Sequence, residues 1–262
     1  MGTLKFLSED TSNAKPAKSR KYSSFLSAGL FIAPADIGGF EVCPGRSEGC
    51  TKACLYNSGN AMRFKSINQA RLRKKMLFFQ DRPEFFRQVI ADIERWIRKA
   101  NRENKVPVFR MNGTSDIIWE KQRIPKGVKG EGGTLFDLFP DVQFYDYTAI
   151  INRLKSKKIP KNYHLTFSAK EDNEEACRTA LSLGFNVTVV FRTKKPEDFP
   201  ATYWGHQVIN GDKHDLRFLD PKGGYVVALT SKGTAMKDES GFVKELQSGD
   251  TSPAECEKTK VA

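Results

Sequence analysis

Several things are scarce or missing in this chain, and each absence narrows the reading. No stretch of about 18 apolar residues occurs, which excludes a membrane-spanning helix and a membrane partner. The N-terminus has no apolar core of the kind a secretory signal needs, so the expected location is the cytoplasm. Cysteines number five, an odd count. In a cytoplasmic chain that argues against a disulfide framework and for ligation. Histidines number only 3, and neither they nor Cys177 stand at a diagnostic metal-ligand spacing. No glycine-rich phosphate fingerprint follows the first apolar strand, which disfavours an open doubly wound dinucleotide fold. Acidic residues are in deficit, 31 against 43 lysines and arginines, for a formal charge of +12. The average field therefore attracts polyanions, and DNA or RNA is the leading partner class.

What is present describes a globular chain. Hydrophobic residues are 39% of the 262 and include 19 phenylalanines, enough for one sizeable core. Residues 1–22 are polar, basic and aperiodic and read as a flexible arm. Residues 232–262, with Cys256 among them, read as a mostly disordered tail for the same reason. Between them, over 23–231, short β-branched and aromatic runs alternate with helical stretches. Strands are expected at 25–33, 106–112, 142–148, 163–168, 186–192 and 225–231, with a weaker one at 206–210.

Apolar residues from Phe85 to Ile97 recur at helical spacing behind Asp81 and Pro83, which predicts a helix over 82–98. A second helix over 173–183 ends at Gly184, immediately before the next strand, so one strand–helix–strand unit is legible. Six or seven such units predict an α/β fold, a complete or partial (β/α) barrel of parallel strands forming a single catalytic domain. Reactive groups in such folds gather where strands end.

The segment EVCPGRSEGCTKACLY sets Cys43, Cys50 and Cys54 within twelve positions, just after the first strand. Pro44, Gly45 and Gly49 allow the loop to turn back on itself, so the three thiols can converge on zinc or on a [4Fe–4S] cluster. Closed zinc sites take a fourth ligand, for which His164, His206, His214 and Cys177 are the candidates. A cluster with one open iron needs only the three cysteines, as in radical enzymes that bind S-adenosylmethionine.

Polar residues crowd the other strand ends. VPVFRMN runs into a turn containing Asn112, Ser115 and Asp116, where Asp116 is the first candidate for a nucleophile or general base. In the next strand Asp146 alternates with Tyr145 and Tyr147. Ser168, Arg192 and the acid-flanked His214 follow; His214 is a candidate acid, base or ligand. Arg63, Lys65, Arg71, Arg73, Lys74 and Lys75 form a basic stretch that can track phosphates.

These motifs in order, CPGRSEGCTKACL, a basic segment, FRMNGTSD and FPDVQFYDYT, resemble a phage protein family called gene product 88 over residues 25–245. The layout is also similar to phage DNA-guanine transglycosylases, relatives of tRNA-guanine transglycosylase, whose Gly-Gly-Phe loop looks like Gly38-Gly39-Phe40. That likeness implies exchange of guanine in DNA for a 7-deazaguanine base in the host cytoplasm, with Asp116 as the nucleophile and the free modified base as second substrate. Base exchange requires the nucleotide to leave its stack. An iron–sulfur enzyme using S-adenosylmethionine and a zinc-stabilised nucleic-acid-binding protein without catalysis are the competing expectations. Nothing in the sequence speaks to oligomeric state.

Overall fold

Residues with branched or aromatic side chains favour the pleated backbone, and when helices cover the sheet their strands lose the in–out polarity of a half-exposed sheet. The computed structural model describes residues 5–9, 24–57, 64–156 and 158–246. In it the apolar runs become β2 (Phe25–Leu30), β3 (Val106–Arg110), β4 (Gln143–Thr148), β5 (Tyr163–Ser168), β6 (Val187–Phe191), β8 (His206–Asn210) and β9 (Val226–Thr230). Two short strands, β1 (Leu7–Glu9) and β7 (Thr202–Tyr203), complete a sheet of order β1-β2-β3-β4-β5-β6-β9-β8-β7. Every pairing from β2 through β8 is parallel, and only the flanking pairs β1·β2 and β7·β8 are antiparallel.

The fold is therefore α/β and mostly parallel, but the sheet is open rather than the expected complete or partial barrel. The outermost parallel strands β2 and β8 each give their free ladder to an antiparallel strand, so neither is left to pair with the other. Flanking strands of two and three residues also keep the exposed edges short.

Helices α1 (Glu48–Lys52), α2 (Lys65–Gln80), α3 (Arg82–Arg102), α4 (Leu135–Leu138), α5 (Ile151–Leu154) and α6 (Glu174–Ser182) connect the strands. The longest, α3, begins where Asp81 Oδ1 accepts a hydrogen bond from Glu84 N at 3.1 Å. It buries Phe85, Phe86, Val89, Ile90, Ile93 and Trp96 along one side. That stripe meets Phe109, Phe144, Phe167 and Val189 from the sheet in the main core. The opposite sheet face carries a smaller cluster of Val108, Tyr145 and Leu216, with Phe25 and Phe218 packed against it. Among the described residues no helix is long and apolar enough to cross a membrane.

Two segments expected to be free of structure are built into the fold. Phe6 and Leu7, within the supposed arm, are buried. Asp92 of α3 accepts hydrogen bonds from both their amides, at 2.8 and 2.9 Å, which fixes β1 on the sheet edge. Residues 232–246, assigned to the tail, return to the domain: Val243 is buried and Lys244 bridges to Phe191. Cys256 lies outside the described residues.

Candidate functional site

The loop leaving the carboxyl end of β2 carries the three clustered cysteines. Its backbone enters the left-handed region at Ala35, Gly38 and Gly39, and Lys75, buried in α2, donates to Ala35 O at 2.7 Å. Cys43 Sγ accepts from Ala35 N at 3.3 Å and lies 3.9 Å from Thr114 O, so this thiol rests on the turn after β3. Ser47 caps α1 by accepting from Cys50 N at 3.2 Å. Glu171, from the loop after β5, accepts from the Ser47 hydroxyl and from Gly49 N, both at 2.7 Å. A Cβ on Gly49 would stand 2.8 Å from Glu171 Oε2, so this approach requires glycine. The loops after β2, β3 and β5 thus meet at one place, outside the carboxyl ends of the strands, where open α/β sheets bind ligands.

Burial dominates the chemistry of the thiols. It pushes Cys43 up to about 12, reinforced by the fields of Cys54 and Asp116. Cys50 rises to about 11, again through burial and then Cys54, with Lys170 opposing. Cys54 is raised by burial while Arg71 opposes it. Cys54 is therefore the common neighbour of the other two, and all three are neutral thiols at pH 7 unless a cation joins them. As they stand, no three His, Cys, Asp or Glu side chains among the described residues are placed to hold a metal ion. An open groove of about 700 Å³ runs past Cys43, Ser47 and Thr51, bordered by two acids, Glu41 and Glu48, and two bases, Arg46 and Lys52.

The candidate fourth ligands lie in other settings. His164 contacts Thr166 Oγ1 at 3.4 Å and is held near 4 by burial. His206 Nδ1 is 2.8 Å from Gly224 O. His214 stands 3.6 Å from Asp220 and 3.3 Å from Arg217. Cys177 is buried in α6 and donates to Asn173 Oδ1 at 3.4 Å.

Asp116 borders the cysteines, and both its oxygens are engaged. Oδ1 accepts from Arg153 Nη1 at 2.9 Å; Oδ2 accepts from Ala149 N at 2.9 Å and Thr148 Oγ1 at 3.2 Å. Burial raises its carboxyl and Arg153 opposes the rise. Arg153 also holds Glu120 and the Tyr163 hydroxyl, so Asp116 belongs to a buried ionic knot. Asp146 is wholly buried on the helix-packed side. It accepts from Asn112 N at 2.6 Å and from the Tyr163 hydroxyl at 2.6 Å, and burial lifts it to about 7. Asn112 folds its own turn, its Oδ1 taking bonds from Ser115 Oγ, Ile117 N and Trp119 Nε1.

The remaining candidates scatter. Tyr147 turns to the opposite sheet face and donates to Asp215 at 2.7 Å. The Ser168 carbonyl accepts from Asn173 Nδ2 at 2.9 Å. Arg192 pins the C-terminal segment through Met236 O, Asp238 O and Glu245. The basic stretch does not form one solvent-facing row. Lys65 and Arg73 are exposed. Lys74 is buried, donates to Phe6 O at 3.1 Å and is lowered to about 8 by burial. Arg71 is half-buried, 5.4 Å over Phe31 and 5.6 Å over Tyr56. Arg63 lies outside the described residues. Helical geometry gives the reason: consecutive positions of α2 point to different sides, and one side faces the core.

Residues that organise the site and were not among the sequence candidates are Glu171 and Arg153. Lys75 belongs to the basic stretch expected to track phosphates, but the structure turns it inward to Ala35 O. A family model described as gene product 88 matches residues 4–246. No curated protein and no solved structure matches the chain.

Proposed function

The chain belongs to the gene product 88 family, and from that premise we propose that it is an iron–sulfur enzyme whose cluster is held by Cys43, Cys50 and Cys54 and whose substrate is a nucleic acid. The observation that carries this reading is three half-buried thiols on one loop at the carboxyl edge of a parallel sheet, with the field of Cys54 reaching the other two, while His164, His206, His214 and Cys177 are engaged elsewhere. A closed zinc site wants four protein ligands, whereas a four-iron cluster held by three leaves one iron for an exogenous ligand. Such a cluster supplies one-electron chemistry when S-adenosylmethionine is that ligand.

The donor set fits the group chemically. Burial and mutual repulsion keep the thiols protonated, and a cationic centre would reverse both effects by binding thiolates. Ligation requires the sulfurs to draw closer than they stand. The protein's contribution is to hold the loop. Glu171 fixes α1, Lys75 fixes the turn at Ala35, and the groove past Cys43 admits a ligand. The charge of +12 supports a polyanionic substrate.

The base-exchange reading, with Asp116 attacking a sugar carbon, draws less support from the geometry. A nucleophile needs an oxygen open to the substrate, and Asp116 is buried with both oxygens held by Arg153, Ala149 and Thr148.

Cysteine substitution tests the assignment. After anaerobic reconstitution, Cys43→Ala, Cys50→Ala and Cys54→Ala should each lose the brown absorption, and Cys177→Ala and Asp116→Asn should keep it. Colour that survives the three substitutions, or base exchange on DNA that disappears in Asp116→Asn, contradicts the reading.

A further inference from the structure

Away from the cysteines, residues 211–220 lie across the sheet face that the helices leave uncovered. Phe218 anchors this segment, packing edge-on against Phe25 at 5.5 Å and against Tyr145 at 5.5 Å. Toward the carboxyl edge Asp215 reaches two side chains of the central strands. Its Oδ2 accepts from Arg110 Nη1 at 2.8 Å and its Oδ1 accepts from the Tyr147 hydroxyl at 2.7 Å. The Arg110 guanidinium lies 4.7 Å over the Tyr147 ring, so the two donors also orient each other. One guanidinium and one phenol, each addressing a different oxygen, form an arrangement suited to the carboxylate or phosphate of a ligand.

The two sides of this contact differ in kind. Both donors come from adjacent parallel strands, near their carboxyl ends. The acceptor comes from an irregular segment, and its side chain keeps 18% exposure against 9% for Arg110. The segment also brings a second cation. Arg217 is fully buried, donates through Nη2 to Gly211 O at 3.1 Å and to His214 O, and has Nη1 3.3 Å from Asp220 Oδ2. Its Nε finds no acceptor among the described residues. A second guanidinium thus stands in the same segment as the Asp215 carboxylate.

We propose that Arg110 and Tyr147 form a binding site for the oxyanion of a small-molecule ligand, and that Asp215 occupies this site as an internal stand-in until the ligand displaces it. Exchange of one anion for another keeps the buried Arg110 charge compensated throughout. The released Asp215 needs only to turn toward the solvent it already touches. Competition with Asp215 weakens the apparent affinity of the intact protein by the fraction of molecules in which the site is open. This inference does not depend on what the cysteines hold.

Titration calorimetry of the full chain with inorganic phosphate, and separately with acetate, tests it, with circular dichroism confirming that each variant is folded. Wild type should bind one of the two weakly, and Asp215→Asn should bind the same anion about tenfold more tightly because the competing charge is gone. Arg110→Ala, alone or combined with Asp215→Asn, should abolish the heat signal. Tyr147→Phe, which keeps the ring beneath the guanidinium and loses one donor, should weaken binding several-fold and serves if Arg110→Ala does not fold. Preference for phosphate identifies a phosphorylated ligand, and preference for acetate a carboxylate. The proposal is overturned if Asp215→Asn binds neither anion, or if removal of Arg110 or of the Tyr147 hydroxyl leaves its binding unchanged.

Discussion

Glu171 shows how one side chain carries consequences for the whole cysteine loop. Its carboxylate takes bonds from Ser47 Oγ and Gly49 N, and Ser47 in turn caps the turn that presents Cys50. Glu171→Ala leaves those two donors without their acceptor and frees α1. Cys50 in the metal-free protein should then alkylate about tenfold faster at pH 8, as expected when a local opening becomes roughly 1.4 kcal/mol cheaper, with Cys177 unchanged. Mass spectrometry of iodoacetamide-treated protein reads both sites at once. Asp146 makes a prediction about pH. Burial lifts its carboxyl from the usual 3.8 to about 7, against the bonds from Tyr163 and Asn112 and the fields of Arg110 and Arg153. A carboxyl raised in the folded state stabilises below about pH 4, and that contribution is lost as the pH climbs to about 7. Asp146→Asn cannot ionise, so its stability deficit relative to wild type should shrink by on the order of 3 kcal/mol between pH 4 and pH 7 in urea melts. At this scale the sequence was least informative. Asp116 and Asp146 were visible as polar residues at strand ends, but the partners that define them, Arg153 and Tyr163, are distant in sequence and carry no motif of their own.

The elements were easier to read, and the misses have a common cause. Strands β2 to β6, β8 and β9 are runs of branched and aromatic residues, and α3 shows an unbroken apolar stripe, so local pattern and final burial agree. The short strand β1 has no such run. Phe6 and Leu7 are buried because Asp92 binds their amides and because Phe6 packs 5.3 Å from Phe85, contacts that only the folded chain supplies. Residues 232–246 are held in the same manner, through Arg192 and the bridge between Phe191 and Lys244. The account therefore predicts that Phe6→Ala destabilises the protein by about 3–5 kcal/mol, the usual cost of deleting a buried phenylalanine side chain. Chemical denaturation measures it. A change below about 1 kcal/mol would restore the reading of an arm that contributes nothing to the core.

For the whole molecule, the sheet brings its polar loops to one edge and its apolar surface to the helix-packed face, with segment 211–220 across the other. Parallel strands in consecutive order are enough to place the turns after β2, β3 and β5 side by side, and that much followed from the alternation of strand and helix patterns. That the sheet stays open did not, because it rests on two edge strands of two and three residues that leave almost no trace in the sequence. The same topology puts three half-buried thiols and a groove at the carboxyl edge, and the central claim is that those thiols hold an iron–sulfur cluster. Iron, zinc and acid-labile sulfide should be measured per chain on protein purified without oxygen. The account predicts about four iron and four sulfide with absorption in the visible; about one zinc per chain, with no sulfide and no colour, would contradict it.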